Sequence, residues 1–170
     1  MKTLFSEKAI AARVEAIAHQ VIDDLGTDFV LVPILTGGFV FGADLARALH
    51  DAGADPQIDF VQLASYGKER VSSGIVRVVK DFTSPIEGKT VLLVDDILDS
   101  GRSLAHAVTM LEERKAKDWR IAVAVRKDKP RAIPVEADYA AFEADADAYL
   151  VGYGMDDAGR KRTLPMIGAL

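Results

Sequence analysis

Cysteine is absent from the 170 residues of the sequence, which excludes disulfide bonds and thiolate-bound metal ions. Long apolar runs are absent too, since none reaches the roughly 18 residues that are needed to cross a bilayer. Charged residues interrupt the apolar ones throughout the first twenty positions, which is unlike a secretory signal. We therefore expect a soluble, cytoplasmic protein with no membrane partner.

An excess of positive charge is also lacking, because 26 acidic residues outnumber 21 basic ones and the net charge is −5. This balance argues against a nucleic-acid partner, although it is compatible with a local basic pocket. Hydrophobic residues make up 49% and charged residues 28% of the chain, which is typical of a globular protein. At this length we expect a single domain.

Apolar residues alternate between two spacings along the chain. Helical spacing runs through Ile10, Val14, Ile17, Val21 and Leu25, and Gly26 stands where such a helix would end. Further on, short apolar runs typical of buried strands alternate with helical patterns; the strands are expected at 29–35, 58–63, 74–79, 90–94 and 120–125, and the helices at 39–50 and 103–116. This order predicts an α/β fold with a mainly parallel central sheet flanked by helices.

Two turns between a strand and a helix contain residues suited to binding anions. Thr36-Gly37-Gly38 follows the first strand, and Asp99-Ser100-Gly101-Arg102-Ser103 follows the strand at 90–94. A glycine turn that leads into a helix presents backbone N–H groups and the positive end of the helix dipole, which together bind phosphate. The alternative is that both turns are ordinary helix caps without a ligand.

Three carboxylates accompany the second turn. Asp95 and Asp96 follow the strand VLLV, where they can accept hydrogen bonds from vicinal hydroxyls or hold a hydrated Mg²⁺. Asp99 stands beside the expected phosphate cradle, where a carboxylate is suited to proton transfer or charge stabilisation. Acids next to a phosphate cradle indicate a sugar-phosphate site.

These residues also carry a family resemblance. VLLVDDILDSGRSL resembles the phosphoribosyl pyrophosphate motif of type I phosphoribosyltransferases. Within that group, ILTGGFVFGADLARAL, LASYG, ADYAAFE and YLVGYGMDDAGRKRTLPMIGAL are similar to the two active-site loops and the C-terminal hood of hypoxanthine-guanine phosphoribosyltransferases. The similarity runs from about residue 5 to residue 170.

The resemblance implies the type I phosphoribosyltransferase fold, with a core at about 10–135 and a small hood formed by about 1–9 and 136–170. It implies transfer of a 5-phosphoribosyl group from phosphoribosyl pyrophosphate to N9 of a 6-oxopurine (hypoxanthine, guanine or both), which gives IMP or GMP and pyrophosphate. It further implies Mg²⁺ as cofactor and a homodimer or homotetramer. A xanthine-preferring enzyme and a regulator that senses phosphoribosyl pyrophosphate are the alternatives.

For the donor, the resemblance implies that Asp95 and Asp96 bind the ribose hydroxyls, directly or through metal-bound water. The 5′-phosphate would be held by four residues of the second turn, namely Ser100, Gly101, Arg102 and Ser103. Pyrophosphate would be bound by Thr36, Gly37 and Arg162, with a cis peptide expected between Leu35 and Thr36. The metal would be held by Asp156, Asp95 and Asp96. Because many relatives carry a basic residue where this chain has Thr36, its pyrophosphate site would depend more on backbone donors.

For the acceptor, the resemblance implies that Asp99 acts as the acid/base residue at N7 of the purine. Lys127 would donate to the 6-oxo group, with Lys129 as the alternative. Tyr149 would stack on the base, and the backbone of Leu150 would bind its edge. Ser65 and Tyr66 would belong to a loop that closes over the reaction.

Overall fold

The computed structural model describes residues 1–65, 75–131 and 133–170. Along the chain the elements are β1 (Lys2–Phe5), α1 (Glu7–Leu25), β2 (Val30–Leu35), α2 (Phe39–Asp51), β3 (Gln57–Ile58), β4 (Val61–Ser65), β5 (Val76–Lys80), β6 (Thr90–Leu98), α3 (Arg102–Glu113), β7 (Asp118–Asp128), β8 (Tyr139–Asp145), β9 (Leu150–Val151) and β10 (Ile167–Ala169).

The main sheet has the strand order β5-β4-β2-β6-β7-β8, and the short β3 also pairs with β2. Strands β3, β4 and β6 pair in parallel with β2, and β6, β7 and β8 are parallel to one another. Among the described strands of this sheet, only β4 and β5 pair antiparallel. The predicted α/β class with a mainly parallel sheet is therefore confirmed.

Helices cover both faces of the sheet because successive residues of a strand point to opposite sides. Leu92 and Val94 of β6 pack in one cluster with side chains of α1 and α2, and Leu93 packs in a second cluster with Leu104 and Leu111 of α3. The hydroxyl of Ser6 caps the start of α1, and Gly26, at φ 74°, follows its last residue. None of the described helices combines the length and apolar character of a membrane span.

A second, three-stranded antiparallel sheet has the order β1-β10-β9. It lies against the main sheet through Phe5, whose ring stacks on Phe142 of β8 with 4.0 Å between centroids. Strand β8, which begins the segment at 136–170, pairs with β7 over six positions and so forms the edge of the main sheet. We call β1 and residues 146–170 the hood.

Asp59 is a buried carboxylate between β3 and β4. Its Oδ2 accepts hydrogen bonds from the amides of Thr83 and Ser84, both at 2.8 Å, and its Oδ1 accepts one from Phe60. Burial alone would raise the pKa of Asp59, but these amides and the Lys80 ammonium outweigh it and hold the pKa below its usual value. The charged carboxylate thus fastens the chain that follows β5 to the sheet.

Asp59→Asn is expected to lower the free energy of unfolding by about 2 kcal/mol at pH 7, because an amide turns one oxygen acceptor into a donor that faces backbone N–H groups. A lowered pKa contributes stability above the pKa of the unfolded chain, and that contribution is lost as pH falls through the folded value. The difference between the variant and the wild type should therefore shrink below about pH 4. Urea unfolding at pH 7 and pH 3.5 measures this difference in the free energy of unfolding. An equal difference at the two pH values would contradict a stabilising role for the charge of Asp59.

Candidate active site

Strand β6 carries the two adjacent carboxylates of the motif into the site. The strand was expected to end at Val94, but it runs to Leu98 because its pairing with β7 continues through Ile97 and Leu98. Asp95 and Asp96 are therefore held within a paired strand instead of a turn. The backbone amide of Asp96 donates to Asp95 Oδ1 at 2.9 Å, which fixes the first carboxylate.

Both carboxylates sit in an environment that opposes their charge. Burial raises the pKa of Asp95 well above its usual value, and the neighbouring charge of Asp96 raises it further. Burial also raises the pKa of Asp96, although hydrogen bonding and the positive charge of Arg162 reduce the rise. Two adjacent like charges, one buried and one half-buried, favour a ligand that brings hydroxyl donors or positive charge.

The turn after β2 comes into direct contact with these acids. The peptide bond between Leu35 and Thr36 is cis, as expected. The carboxylate of Asp96 occupies the position where a side chain on Gly37 would begin, and a Cβ on Gly38 would lie 2.7 Å from the carbonyl oxygen of Ile34. Glycine at both positions lets the turn approach β6 closely enough for its backbone to face the same space as the acids.

The second turn forms the N-terminus of α3. Gly101 immediately precedes the helix in the left-handed conformation, with φ of 81°, and a Cβ there would lie 2.6 Å from Val135 Cγ1. The Ser100 hydroxyl accepts a weak hydrogen bond from the Arg102 amide at 3.4 Å. The first N–H groups of a helix have no partner within it, so this turn offers amides and the positive dipole end to an anion.

A pocket of about 230 Å³ joins the two turns and the end of β6. Its wall includes ten of the residues expected at the site: Thr36, Gly37, Asp95, Asp96, Asp99, Ser100, Gly101, Arg102, Ser103 and Arg162. Lys127, Tyr149, Leu150 and Asp156 are outside this wall. The structure thus gathers Asp99 and most of the expected donor-binding residues in one cavity, with Lys127 next to Asp99 and Asp156 next to Arg162.

Two lysines flank the carboxylate of Asp99. Lys127 Nζ lies 3.8 Å from Asp99 Oδ2, and Lys129 forms a close ion pair with Oδ1. The side chain of Lys127 is 11% exposed and that of Lys129 is 31% exposed. Lys127 lies within β7, which was expected to end two residues before it, and Lys129 follows the strand. The ion pair between Lys129 and Asp99 was not anticipated, because spacing in sequence does not show that β7 and the turn after β6 meet here.

The hood contributes an arginine and an aspartate. Arg162 Nη2 pairs with Asp156 Oδ1 at 2.8 Å, and Arg162 Nη1 donates to the carbonyl oxygen of Gly154 at 2.6 Å. The second oxygen of Asp156 accepts a hydrogen bond from the Gly159 amide at 2.7 Å. Arg162 is therefore held from two sides while it lines the pocket.

The remaining acceptor-side residues also lie in the hood. Leu150 is buried in β9 and pairs with Ala169 of β10. Tyr149, directly before it, is 43% exposed, and its hydroxyl lies 3.4 Å from the carbonyl oxygen of Asp156. Ser65 is the exposed last residue of β4, and Tyr66 lies outside the described residues.

The donor set of the site suits a hydrated magnesium ion. Within the part of the chain that the structure describes, no three histidine or carboxylate side chains come together as a complete ion cage. Mg²⁺ is usually held by one or two carboxylates together with water and substrate phosphates, so a full protein cage is not required. Asp95 and Asp96, which line the pocket, fit that mode of binding, and Asp156 lies next to the pocket through its ion pair with Arg162.

Comparison with known proteins places the chain in a family. A family model of the phosphoribosyl transferase domain matches residues 1–158. The hypoxanthine-guanine phosphoribosyltransferase of Dictyostelium discoideum is 37% identical, over 99% of this chain and 94% of the relative.

Solved structures agree with the sequence match. The hypoxanthine phosphoribosyltransferase of Staphylococcus aureus superposes with a TM-score of 0.91 at 33% identity, covering 100% of this chain and 91% of that one. A mutant Trypanosoma cruzi enzyme in complex with the product IMP gives 0.91 at 34% identity, with the same two coverages. The chain therefore belongs to the phosphoribosyl transferase family, as an enzyme similar over its whole length to hypoxanthine-guanine phosphoribosyltransferases.

Proposed function

We propose that the protein transfers the 5-phosphoribosyl group of phosphoribosyl pyrophosphate to N9 of a 6-oxopurine, hypoxanthine or guanine, in purine salvage. The observation that carries this proposal is the single pocket shared by Asp95 and Asp96, the turn at 99–103 and the turn at 36–37. The two carboxylates suit a sugar diol, the turn at 99–103 suits a 5′-phosphate, and the turn at 36–37 suits a diphosphate. Asp99, flanked by lysines, then faces the side where a purine would enter.

In the reaction, the bond between C1′ and the pyrophosphate oxygen breaks and a bond between N9 and C1′ forms. Pyrophosphate leaves with the electron pair, and the purine must lose one proton. Asp99 is placed to take that proton at N7 of the base, and Lys127 donates a hydrogen bond to the 6-oxo group. An ammonium can only donate, so the 6-amino group of adenine would be left without an acceptor.

The departing pyrophosphate requires positive charge and hydrogen-bond donors. In this chain they come from the guanidinium of Arg162 and from the backbone at Thr36 and Gly37. When bound by Asp95, Asp96 and Asp156, Mg²⁺ would neutralise negative charge on the diphosphate. Thr36 brings no cation to the first turn, so the basic side chains that line the pocket are Arg162 and Arg102.

The direct test mixes the purified protein with phosphoribosyl pyrophosphate, Mg²⁺ and one of four bases: hypoxanthine, guanine, xanthine or adenine. Pyrophosphate release and nucleotide formation are followed together. We expect IMP and GMP to form, with adenine turned over far more slowly. Preferential use of xanthine would favour a xanthine-preferring enzyme. Binding of the donor without turnover of any base would favour a regulator that senses phosphoribosyl pyrophosphate.

The two lysines beside Asp99 allow a test of base selectivity. Lys127→Gln is expected to reduce the preference for hypoxanthine over adenine by about 10²-fold or more, because glutamine can accept a hydrogen bond from a 6-amino group. Lys129→Gln serves as the matched control and should leave the preference unchanged. Competition between the two bases measures it, and the reverse pattern would transfer the 6-oxo contact to Lys129.

The presence of Lys127 and Tyr149 together with the donor-side Asp156 and Arg162 supports an enzyme over a regulator, since donor sensing alone does not need base-binding residues. The closing loop at Ser65 and Tyr66, the contacts of Tyr149 and Leu150 with the base, the division into core and hood, the cytoplasmic location and the homodimeric or homotetrameric state stay predictions.

A further inference from the structure

Tyr153 lies in an unusual backbone conformation between two glycines of the hood. Its φ is 51°, and those of Gly152 and Gly154 are 93° and 99°. A bulky residue is seldom found in this left-handed region, where it persists only if surrounding contacts hold it. Here the amide of Tyr153 donates to the carbonyl oxygen of Leu164 at 2.9 Å. The turn is therefore fastened to the segment that follows Arg162.

The side chain of Tyr153 connects this turn to helix α2. It is 4% exposed, and its hydroxyl donates to Asp44 Oδ2 at 2.7 Å. Its ring packs at a tilt against Phe41, with 6.4 Å between centroids. The other oxygen of Asp44 pairs with Arg47 one turn further along the helix. Burial, and then the hydrogen bond to Asp44, raise the pKa of Tyr153, so the hydroxyl stays protonated and remains a donor.

The residue after Tyr153 lies directly on the pyrophosphate turn. The carbonyl oxygen of Gly37 occupies the space that a Cβ on Gly154 would need. On its other side, Gly154 accepts from Arg162 Nη1 at 2.6 Å through its carbonyl and donates to the carbonyl of Arg162 at 3.0 Å through its amide. One backbone position thus touches both groups that would hold pyrophosphate.

We infer that the hydrogen bond between Tyr153 and Asp44 is a positioning contact for pyrophosphate, which keeps Arg162 of the hood aligned with the Thr36-Gly37 turn. Helix α2 begins directly after that turn, so the backbone connects Gly37 to Asp44, and backbone hydrogen bonds connect the turn of Tyr153 to Arg162. The inference rests on the proposed function and adds a residue that touches neither base nor ribose.

Tyr139 provides a matched control. Its hydroxyl also donates to a carboxylate, Asp24 Oδ2, at 2.7 Å, and it is also buried at 5% exposure. That bond joins β8 to α1 and involves neither the Thr36-Gly37 turn nor Arg162. Tyr153→Phe and Tyr139→Phe therefore remove the same kind of bond from different places.

We expect Tyr153→Phe to raise the KM for phosphoribosyl pyrophosphate, and for pyrophosphate in the reverse reaction, about fivefold or more, with the KM for hypoxanthine within twofold of wild type. Tyr139→Phe should leave all three KM values within twofold of wild type. Asp44→Asn, which keeps an oxygen acceptor, should lie close to wild type, and Asp44→Ala should repeat the effect of Tyr153→Phe.

If the two tyrosine variants had equal KM values for phosphoribosyl pyrophosphate, the positioning contact would be refuted. The proposed function would still stand, provided that the wild type is active. A KM for hypoxanthine that rises as much as that for the donor would also refute the positioning contact, because it would indicate a general loss of structure. Absence of transfer by the wild type would instead refute the proposed function.

Discussion

Asp99→Ala is expected to reduce nucleotide formation by a factor of about 10² to 10⁴ and to leave binding of phosphoribosyl pyrophosphate nearly unchanged. The carboxylate is paired with Lys127 and Lys129 and lies beside the diol and phosphate positions of the pocket. Its loss removes the acceptor for the purine proton but none of the groups proposed to hold the donor. Steady-state rates and calorimetric titration with the donor measure the two effects.

Asp99→Asn separates proton transfer from hydrogen bonding. Asparagine keeps an oxygen acceptor of the same size but cannot take a proton at neutral pH. If Asp99 is the base, the amide should be nearly as inactive as alanine. Turnover close to wild type in either variant would remove Asp99 from the proposed reaction, and a donor affinity that fell in parallel with the rate would point to a binding contact instead.

Asp95→Asn is expected to have two opposite effects, a loss of transfer on the order of 10²-fold and a gain in the stability of the ligand-free protein of about 1 kcal/mol or more. The activity falls because one of the two proposed diol acceptors is replaced. The stability rises because a buried carboxylate beside Asp96 is replaced by a neutral group whose oxygen can still accept from the Asp96 amide. At this chain length, a gain of 1 kcal/mol raises the melting temperature Tm by roughly 2–4 °C.

The pH dependence of that gain follows from the raised pKa of Asp95. A raised pKa means that the folded state binds a proton more tightly than the unfolded chain, so wild-type stability falls as pH rises above the unfolded value of about 4. The advantage of Asp95→Asn should therefore grow from pH 4 upward. Asp59→Asn is the internal control, because the pKa of that buried carboxylate is shifted the other way. Destabilisation by both amides at pH 7 would refute the repulsion between Asp95 and Asp96.

Much of the fold could be predicted because its signals are local. The run from Val91 to Val94 indicates a buried strand by itself, and Gly26 and Gly101 mark helix boundaries through conformations that glycine adopts readily. The end of β6 could not be predicted from its own residues. Asp95 and Asp96 interrupt the apolar run, and only the continued hydrogen bonding to β7 keeps the strand going to Leu98.

In the site too, the residues whose signal is local could be predicted, and contacts between distant segments could not. Apart from Arg162 and Asp156, its donor side lies in two short segments whose glycines and acids are close together in sequence, so the residues could be named before their arrangement was known. The ion pair between Lys129 and Asp99 and the bond between Tyr153 and Asp44 join segments far apart along the chain. Gly152-Tyr153-Gly154 by itself looks like an ordinary loop. A tyrosine between two glycines would have been the only sign of a fixed side chain there.

The order of strands in the hood has a consequence for synthesis on the ribosome. Strand β1 precedes all the other strands of both sheets in the sequence, yet its partner is β10, and β10 in turn pairs with β9, which contains Leu150. Strands β2 to β8 can complete the main sheet while β1 is still unpaired. The nascent chain can thus contain both anion-binding turns before the second sheet forms, and Leu150 on the proposed base-binding side finds its partner strand only when β10 has been made.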